Sequence, residues 1–455
     1  MQLLLSTALM AAVPANPVPP EADMPGPPVV PDSGQMSAPA PDADPADILQ
    51  WAKWLVFRQR SDEARATLEQ LAQSGRKMTR EQVNEAQFLI GMIDIANKDY
   101  PAAISRFRRI LVSDPDAVRV RLELGRAFFL NDDYNNARRQ FLFARAGNVP
   151  AIVRKNIDRY LVAIRSLRTM KYSFSLSLAS DTNLNAGPSA DTITVYGLPF
   201  QLSKSLRANS GIGLAMDAAA EYAPRLSKRL KWRIGTQIHR AQYRYTEFDD
   251  MTMTVYTGPH LTLKKWDFNL LGTAARRWYG NRVYTNIFGG SISSTYFVTS
   301  RFGIGTALAI NRLNYVRYTP QSGTGGNVSL STFYTPSTSS ILSARATLGR
   351  QNAKDKAFAN HLQQFKLSMT KELGSGFTVT ASPMYSRIAY DAPLAAFDRR
   401  RIDHQLVGTL MLLNRKIDIL GITPRILYAY TDNASSIPLY RYTKHRVEIG
   451  LTTQF

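Results

Sequence analysis

The residues capable of acid-base or nucleophilic chemistry in this 455-residue chain are dispersed. The five histidines, His239, His260, His361, His404 and His445, sit in distant segments, and none has zinc-ligand spacing or a neighbouring nucleophile elbow. No phosphate loop or dinucleotide fingerprint occurs. A Ser-His-acid set would have to be assembled by the fold, since no motif announces one. Cysteine is absent, which removes disulfides and thiolate chemistry. The expectation is a chain that is not an enzyme and uses no cofactor or metal. One polar stretch stands out, Ser180-Asp181-Thr182-Asn183-Leu184-Asn185. Asp, Asn and Thr side chains bond nearby backbone and favour turns, so this stretch either caps a strand and closes a loop or offers a polar patch to a cargo. Ser180, Asp181, Thr182, Asn183 and Asn185 are the cargo-contact candidates.

The elements around that stretch are strands. Tyr172, Phe174, Leu176 and Leu178 alternate with Ser173, Ser175, Ser177 and Ala179, a lipid-facing set against a small polar one. Ile212, Leu214 and Met216 alternate in the same way with Gly211, Gly213 and Asp217, which sends Asp217 to a lumen. About fourteen such segments begin near Tyr172, Ala208, Leu230, Met251, Phe268, Thr285, Phe302, Asn327, Ser340, His361, Phe377, Arg400, Gly421 and Arg441, an even number as a single-chain barrel requires. Short connections trade places with long ones, which puts turns in the periplasm and loops outside. Trp232, Trp266, Trp278, Tyr222, Tyr296 and Tyr428 fall near segment ends, where an aromatic girdle sits. The last segment places Val447, Ile449 and Leu451 opposite Arg446, Glu448 and Gly450, and terminates on Phe455, read as a membrane-insertion signal. It closes the barrel against the first segment, with Ser175 facing Gly450 as a guessed register. No apolar run is long enough for a spanning helix.

Before the strands the periodicity is helical. Sliding the sequence by 34 residues superposes Gly91 on Gly125, Asp99-Tyr100 on Asp133-Tyr134, Ala103 on Ala137 and Phe107 on Phe141. The period and those residue types resemble tetratricopeptide repeats: small Gly and Ala let paired helices approach, and Phe fills the gap to the next hairpin. A less regular hairpin containing Ala64 and Leu68 comes first, and a helix over 150–168 caps the stack. Such stacks present a concave surface for a protein or peptide. Arginines 106, 108, 109, 119, 121, 126, 138 and 139 are read as mostly solvated. Residues 1–15 have an apolar core and a small-residue cleavage site, a signal peptide. Residues 16–45 are a Pro-rich acidic tether too poor in large apolar side chains to fold.

Net charge is −5 over residues 1–45, +9 over 46–171 and +17 over 172–455. The excess is spread over strand ends rather than clustered, which argues against nucleic acid and for anionic lipid, a hydrated lumen or an acidic cargo. The fold class is α + β in two domains, tetratricopeptide-like helices over 46–171 followed by an antiparallel transmembrane barrel of about fourteen strands over 172–455.

This order of repeats, a first strand running into Ser-Asp-Thr-Asn-Leu-Asn, and a barrel ending in Gln-Phe resembles the surface lipoprotein assembly modulator (Slam) family over residues 46–455. The resemblance implies an outer-membrane translocator of Gram-negative bacteria that carries a cargo protein to the cell surface without nucleotide. The cargo is a lipoprotein or a small secreted haem-binding protein; periplasmic chaperones and the barrel-assembly machinery are implied partners. The competing readings are an exporter of anionic polysaccharide through a basic lumen, and a passive porin, which would not need the repeats.

Overall fold

The computed structural model describes residues 37–40, 42–167, 169–227, 229–263, 265–299, 301–414, 416–417 and 422–453. The expected signal peptide, most of the tether and Phe455 lie outside the described residues.

Among the described residues seven helices come first: α1 Pro45–Phe57, α2 Ser61–Gln73, α3 Arg80–Ala96, α4 Tyr100–Ser113, α5 Val118–Leu130, α6 Tyr134–Ala146 and α7 Ala151–Leu167. The 34-residue repetition is physical. Lys98 and Asp132 turn the chain with φ of 62° and 57°, and one residue later Asp99 and Asp133 accept from the backbone N–H groups of Ala102 and Asn136, capping α4 and α6. Thr79 and Gln82 form a capping box on α3. A Cβ added to Gly91 would lie 2.6 Å from the Phe107 ring, and one on Gly125 would lie 3.1 Å from Phe141. Ala103, Phe107, Ala137 and Phe141 are all buried in the same apolar cluster.

The strands are β1 Met170–Asp181, β2 Thr192–Val195, β3 Leu198–Gln201, β4 Gly211–Tyr222, β5 Leu230–Tyr243, β6 Asp250–Thr262, β7 Trp266–Tyr279, β8 Arg282–Phe297, β9 Phe302–Tyr315, β10 Gly323–Ser337, β11 Ser340–Gln351, β12 Asn360–Glu372, β13 Phe377–Leu394, β14 Arg399–Asn414, β15 Thr423–Ser435 and β16 Tyr442–Thr452. Fourteen of them, all except β2 and β3, form one closed antiparallel barrel in which β16 meets β1. Closure leaves no unpaired edge in hydrocarbon. Period-two alternation sorts the faces as anticipated. Leu178, Ile310, Leu348 and Ile449 project outward and are more than half exposed, while Ser175, Ser177 and Ala179 are buried on the inside. At the short-turn edge Trp266 packs on Tyr296 with ring centroids 4.8 Å apart, and the Trp232 indole donates to Thr257.

Two details differ from the sequence reading. The first long connection carries the β2–β3 hairpin, whose Tyr196 N–H reaches the Ala396 carbonyl in the connection after β13. The connection between β7 and β8 is only Gly280-Asn281, although it lies on the loop side. Both residues have positive φ, 57° and 58°, the geometry of a tight hairpin.

Candidate functional site

Much of the inner wall is built from small and hydroxylated residues. Across β10 to β13, Ser329 and Thr347, Ser368 and Ser382, and Thr370 and Thr380 hydrogen-bond in pairs at 2.8–3.0 Å. Gly305, Ala307 and Ala309 continue this wall on β9, opposite the outward Ile304, Leu308 and Ile310. Such a surface is wettable, with hydroxyls rather than large apolar side chains along this stretch. Most charges placed inward are compensated. Arg233 pairs with Glu221, Arg277 with Asp250, Arg401 with Asp403, Arg425 with Glu448, and Lys444 with Asp181, all within 3.1 Å. At the outer mouth tyrosines crowd this face: Tyr284 meets Tyr315 edge-on at 5.5 Å, and Arg277 stacks over Tyr284 at 5.2 Å.

The polar stretch that ends β1 and begins the first loop is folded into this mouth. Asp181 is buried and accepts from the Asn183 N–H at 2.9 Å. Asn183 accepts from the Gly187 N–H at 2.7 Å and donates to the Gly187 and Thr443 carbonyls. Asn185 donates to the Ser205 and Arg207 carbonyls and accepts from the Asn209 N–H. Leu184 between them packs on Ala241, Tyr243 and Phe248. Ser180 and Thr182 are exposed, and the Thr182 hydroxyl accepts from the His445 N–H. The segment thus ties both ends of the first loop to each other and to β16.

Among the described residues the β1–β16 seam is the shortest pairing in the barrel. It runs from Ser175 opposite Thr452 to Asp181 opposite Arg446, seven residue pairs against twelve between β1 and β4. Gly450 lies opposite Ser177, two residues from the guessed register. A Cβ there would come within 2.1 Å of the Leu176 carbonyl oxygen. Beside the seam Asp217 accepts from Ser175 at 3.3 Å and meets His239 at 2.7 Å. The acid stands between the serine and the histidine, so this cluster lacks the serine–histidine bond that a nucleophilic relay needs. Among the described residues no group of three or more acidic or histidine side chains could hold a metal.

At the opposite end the helices are bolted to the barrel. Arg121 is the largest fully buried side chain among the described residues and Arg139 is largely buried, contrary to the solvated faces expected for these arginines. Both reach Glu372 at the end of β12, at 2.6 and 2.9 Å. Arg121 also donates to the Pro115 carbonyl and to Gln140. Burial pulls the Arg139 guanidinium below its usual pKa, with Glu372 opposing that shift. Thr338, in the β10–β11 turn, donates to Asp116, and its methyl lies against Gly147. Burial raises the Asp116 carboxyl, but hydroxyls of Thr338 and Ser339 with Lys371 and Arg121 outweigh it and hold the pKa below the carboxylate range. The signal for this junction was weak in sequence: a charged residue at position 372, flanking a Gly-Ser-Gly turn.

A closed barrel with an apolar outer band, a polar inner wall and helical hairpins clamped over its short-turn end is an outer-membrane protein with a periplasmic helical appendage. A family profile described as "Surface lipoprotein assembly modifier" matches residues 171–455, and the chain belongs to that family. Surface lipoprotein assembly modifier 1 of Haemophilus influenzae is 23% identical over 372 residues, covering 80% of this chain and 76% of its own. The protein of that name from Neisseria meningitidis is 23% identical over 81% of this chain and 76% of its own. The hemophilin secretion modulator of Acinetobacter baumannii is 21% identical over 81% of this chain and 78% of its own.

Proposed function

We propose that the chain passes a cargo protein from the periplasm to the cell surface, either a surface lipoprotein or a small secreted haem-binding protein. The family match over the whole barrel carries this reading. The names of the relatives, lipoprotein assembly modifiers and a hemophilin secretion modulator, give the two cargo classes. The 34-residue helical hairpins, tetratricopeptide-like in period, receive cargo at the short-turn end, and periplasmic chaperones deliver it. The barrel-assembly machinery inserts the chain, and Phe455 serves as its insertion signal.

Transport uses no nucleotide in this scheme. A cargo domain that folds outside gains about 5–15 kcal/mol, enough to make back-sliding rare. The wall of small hydroxylated residues suits an unfolded chain of any sequence. The short β1–β16 seam allows a second exit, sideways into the bilayer, suited to a lipidated end. Of the cargo-contact candidates Ser180, Asp181, Thr182, Asn183 and Asn185, the last two and Asp181 are buried, while Ser180 shares the outward face of Ile212 and Val447, where cargo leaving sideways through the seam would meet it, with Thr182 next to it.

The anionic-polysaccharide reading has one observation in its favour. Arg345 and Lys366 face each other across β11 and β12 on the inner wall, with no carboxylate in salt-bridge range among the described residues. Compensation of most other inward cations argues against it. Deleting the gene and protease-shaving intact cells tests the proposal: a lipoprotein or small secreted protein encoded beside it should disappear from the surface or medium. Unchanged cargo with loss of surface polysaccharide would replace it with the second reading.

A further inference from the structure

The arginines on the outside of the barrel follow a rule that the inward ones do not. Arg240 on β5, Arg276 on β7, Arg312 on β9 and Arg387 on β13 stand in the same local sequence: Arg240-Ala-Gln-Tyr243, Arg276-Arg-Trp-Tyr279, Arg312-Leu-Asn-Tyr315 and Arg387-Ile-Ala-Tyr390. Period two points each arginine out and each tyrosine, three residues on, toward the mouth. Arg276 thus lies across from the outward Met253, Arg312 from the outward Phe288, and Arg387 from His404. Arg350 on β11 is also outward, opposite His361.

These arginines share a level. Arg240 follows the periplasmic-edge Trp232 by eight residues, and Arg276, Arg312 and Arg387 follow Trp266, Phe302 and Phe377 by ten. At about 3.3 Å per residue and a tilt of about 40°, that height is roughly 20–25 Å, the thickness of the outward apolar band. Between them the outward residues are mostly apolar, as in Ile304, Leu308 and Ile310 below Arg312. Register supports the same level: Arg240 and Arg276 meet β6 at Met251 and Met253, and Arg276 and Arg312 meet β8 at Asn286 and Phe288. Each step is two residues in the same direction, as tilted strands require of a horizontal ring.

Their partners are what distinguish them. Among the described residues Arg276 and Arg312 donate only to Asn286 and Asn314, and Arg276 also stacks near Trp278. Arg240, Arg276, Arg312 and Arg387 have no carboxylate within salt-bridge distance among the described residues; Arg350 alone of the five does, in Asp391. Inward arginines 233, 277, 401, 425 and 446 all have one, with Arg345 the exception on the inner wall. A guanidinium held at the rim of hydrocarbon calls for an anion, and its planar fork fits phosphate.

We infer that this arginine belt binds the phosphate groups of the phosphorylated glycolipid in the outer leaflet, and so sets the height of the barrel in the membrane. The test uses the full-length protein purified in uncharged detergent, with binding read by native mass spectrometry and by the melting temperature of the barrel. The added probes are bis-phosphorylated lipid A, the same lipid dephosphorylated, and inorganic phosphate. Lipid A should bind in several copies and raise the melting temperature by several degrees, with the other two inactive. The variant R240Q/R276Q/R312Q/R387Q should lose at least tenfold in affinity, and the matching Arg→Lys variant should lose less. Should the fourfold variant not fold, R240Q/R276Q and R312Q/R387Q are each expected to lose severalfold. Wild-type affinity in the glutamine variants, or equal binding of dephosphorylated lipid, would overturn the inference and leave a belt that merely reaches for water. An equal effect of inorganic phosphate would overturn the lipid as ligand.

Discussion

Replacing Glu372 with Gln should release the helical unit from the barrel while leaving both folded. Gln is nearly isosteric, so the change removes the charge and little volume. Arg121, with no side-chain exposure, keeps the Pro115 carbonyl and Gln140 but loses its anion, and Arg139 loses the same one. Removing one member of a buried pair costs about 3–5 kcal/mol, because the remaining charge is stranded. Even about 3 kcal/mol is roughly a hundredfold in the docked-to-free ratio. The junction still keeps, among its contacts, the Thr338–Asp116 bond, the Ser339 hydroxyl and Lys371 beside that carboxylate, the packing of Gly147 on Thr338 and the approach of Val112 to Gly376. Hydrogen exchange of detergent-solubilised protein reads the outcome, in α5, in α6 and in the turn at residues 373–376. Protection there should fall by at least tenfold, with exchange in the barrel strands unchanged. The triple replacement R121M/R139M/E372M should recover most of the protection, since packed apolar residues can replace a buried ion triad. Wild-type protection in Glu372→Gln would refute the idea that this ion pair holds the two units together.

The junction also has a predicted pH dependence. The Asp116 pKa is depressed below that of an ordinary aspartate, so its contribution is present above that ordinary pKa and fades as pH falls through the lower folded value. Docking followed by exchange should be flat from pH 5 to 8, and Asp116→Asn should weaken it there while removing the loss in strong acid. Glu123 on α5 has the opposite sign: burial raises its pKa above 4.5, so ionisation costs stability as pH rises through that range. Glu123→Gln should therefore raise the melting temperature of the helices at pH 7 and give no gain at pH 4. Gly91→Ala should destabilise the hairpins by about 1–3 kcal/mol in a denaturant titration, and more than Gly125→Ala, because its new methyl meets Phe107 at 2.6 Å rather than Phe141 at 3.1 Å. In a chain without cysteine, S175C/T452C should form a disulfide across the seam; secretion that continues undiminished would eliminate a sideways exit. Asn183→Ala should expose the loop over residues 182–210 to protease on intact cells, and unchanged resistance would deny it the fastening role.

Local rules made much of this protein readable from its residues. Alternation every second position fixes which side chains face lipid, and it placed all fourteen barrel strands within a few residues of their observed starts. The 34-residue recurrence of Asp caps, small residues and Phe likewise reflects contacts made within one or two hairpins. Pairing across the closure is different in kind: a two-residue slide of β16 on β1 keeps every side chain on its face, so the pattern could not choose between Gly450 and Thr452 as the partner of Ser175. The tertiary structure alone decided that Arg121, one basic residue among many on its helices, would be buried against an acid 251 positions away. It also gathered four Arg-x-x-Tyr sequences from separate strands onto one level, because tilt and register, not sequence distance, determine height in a barrel.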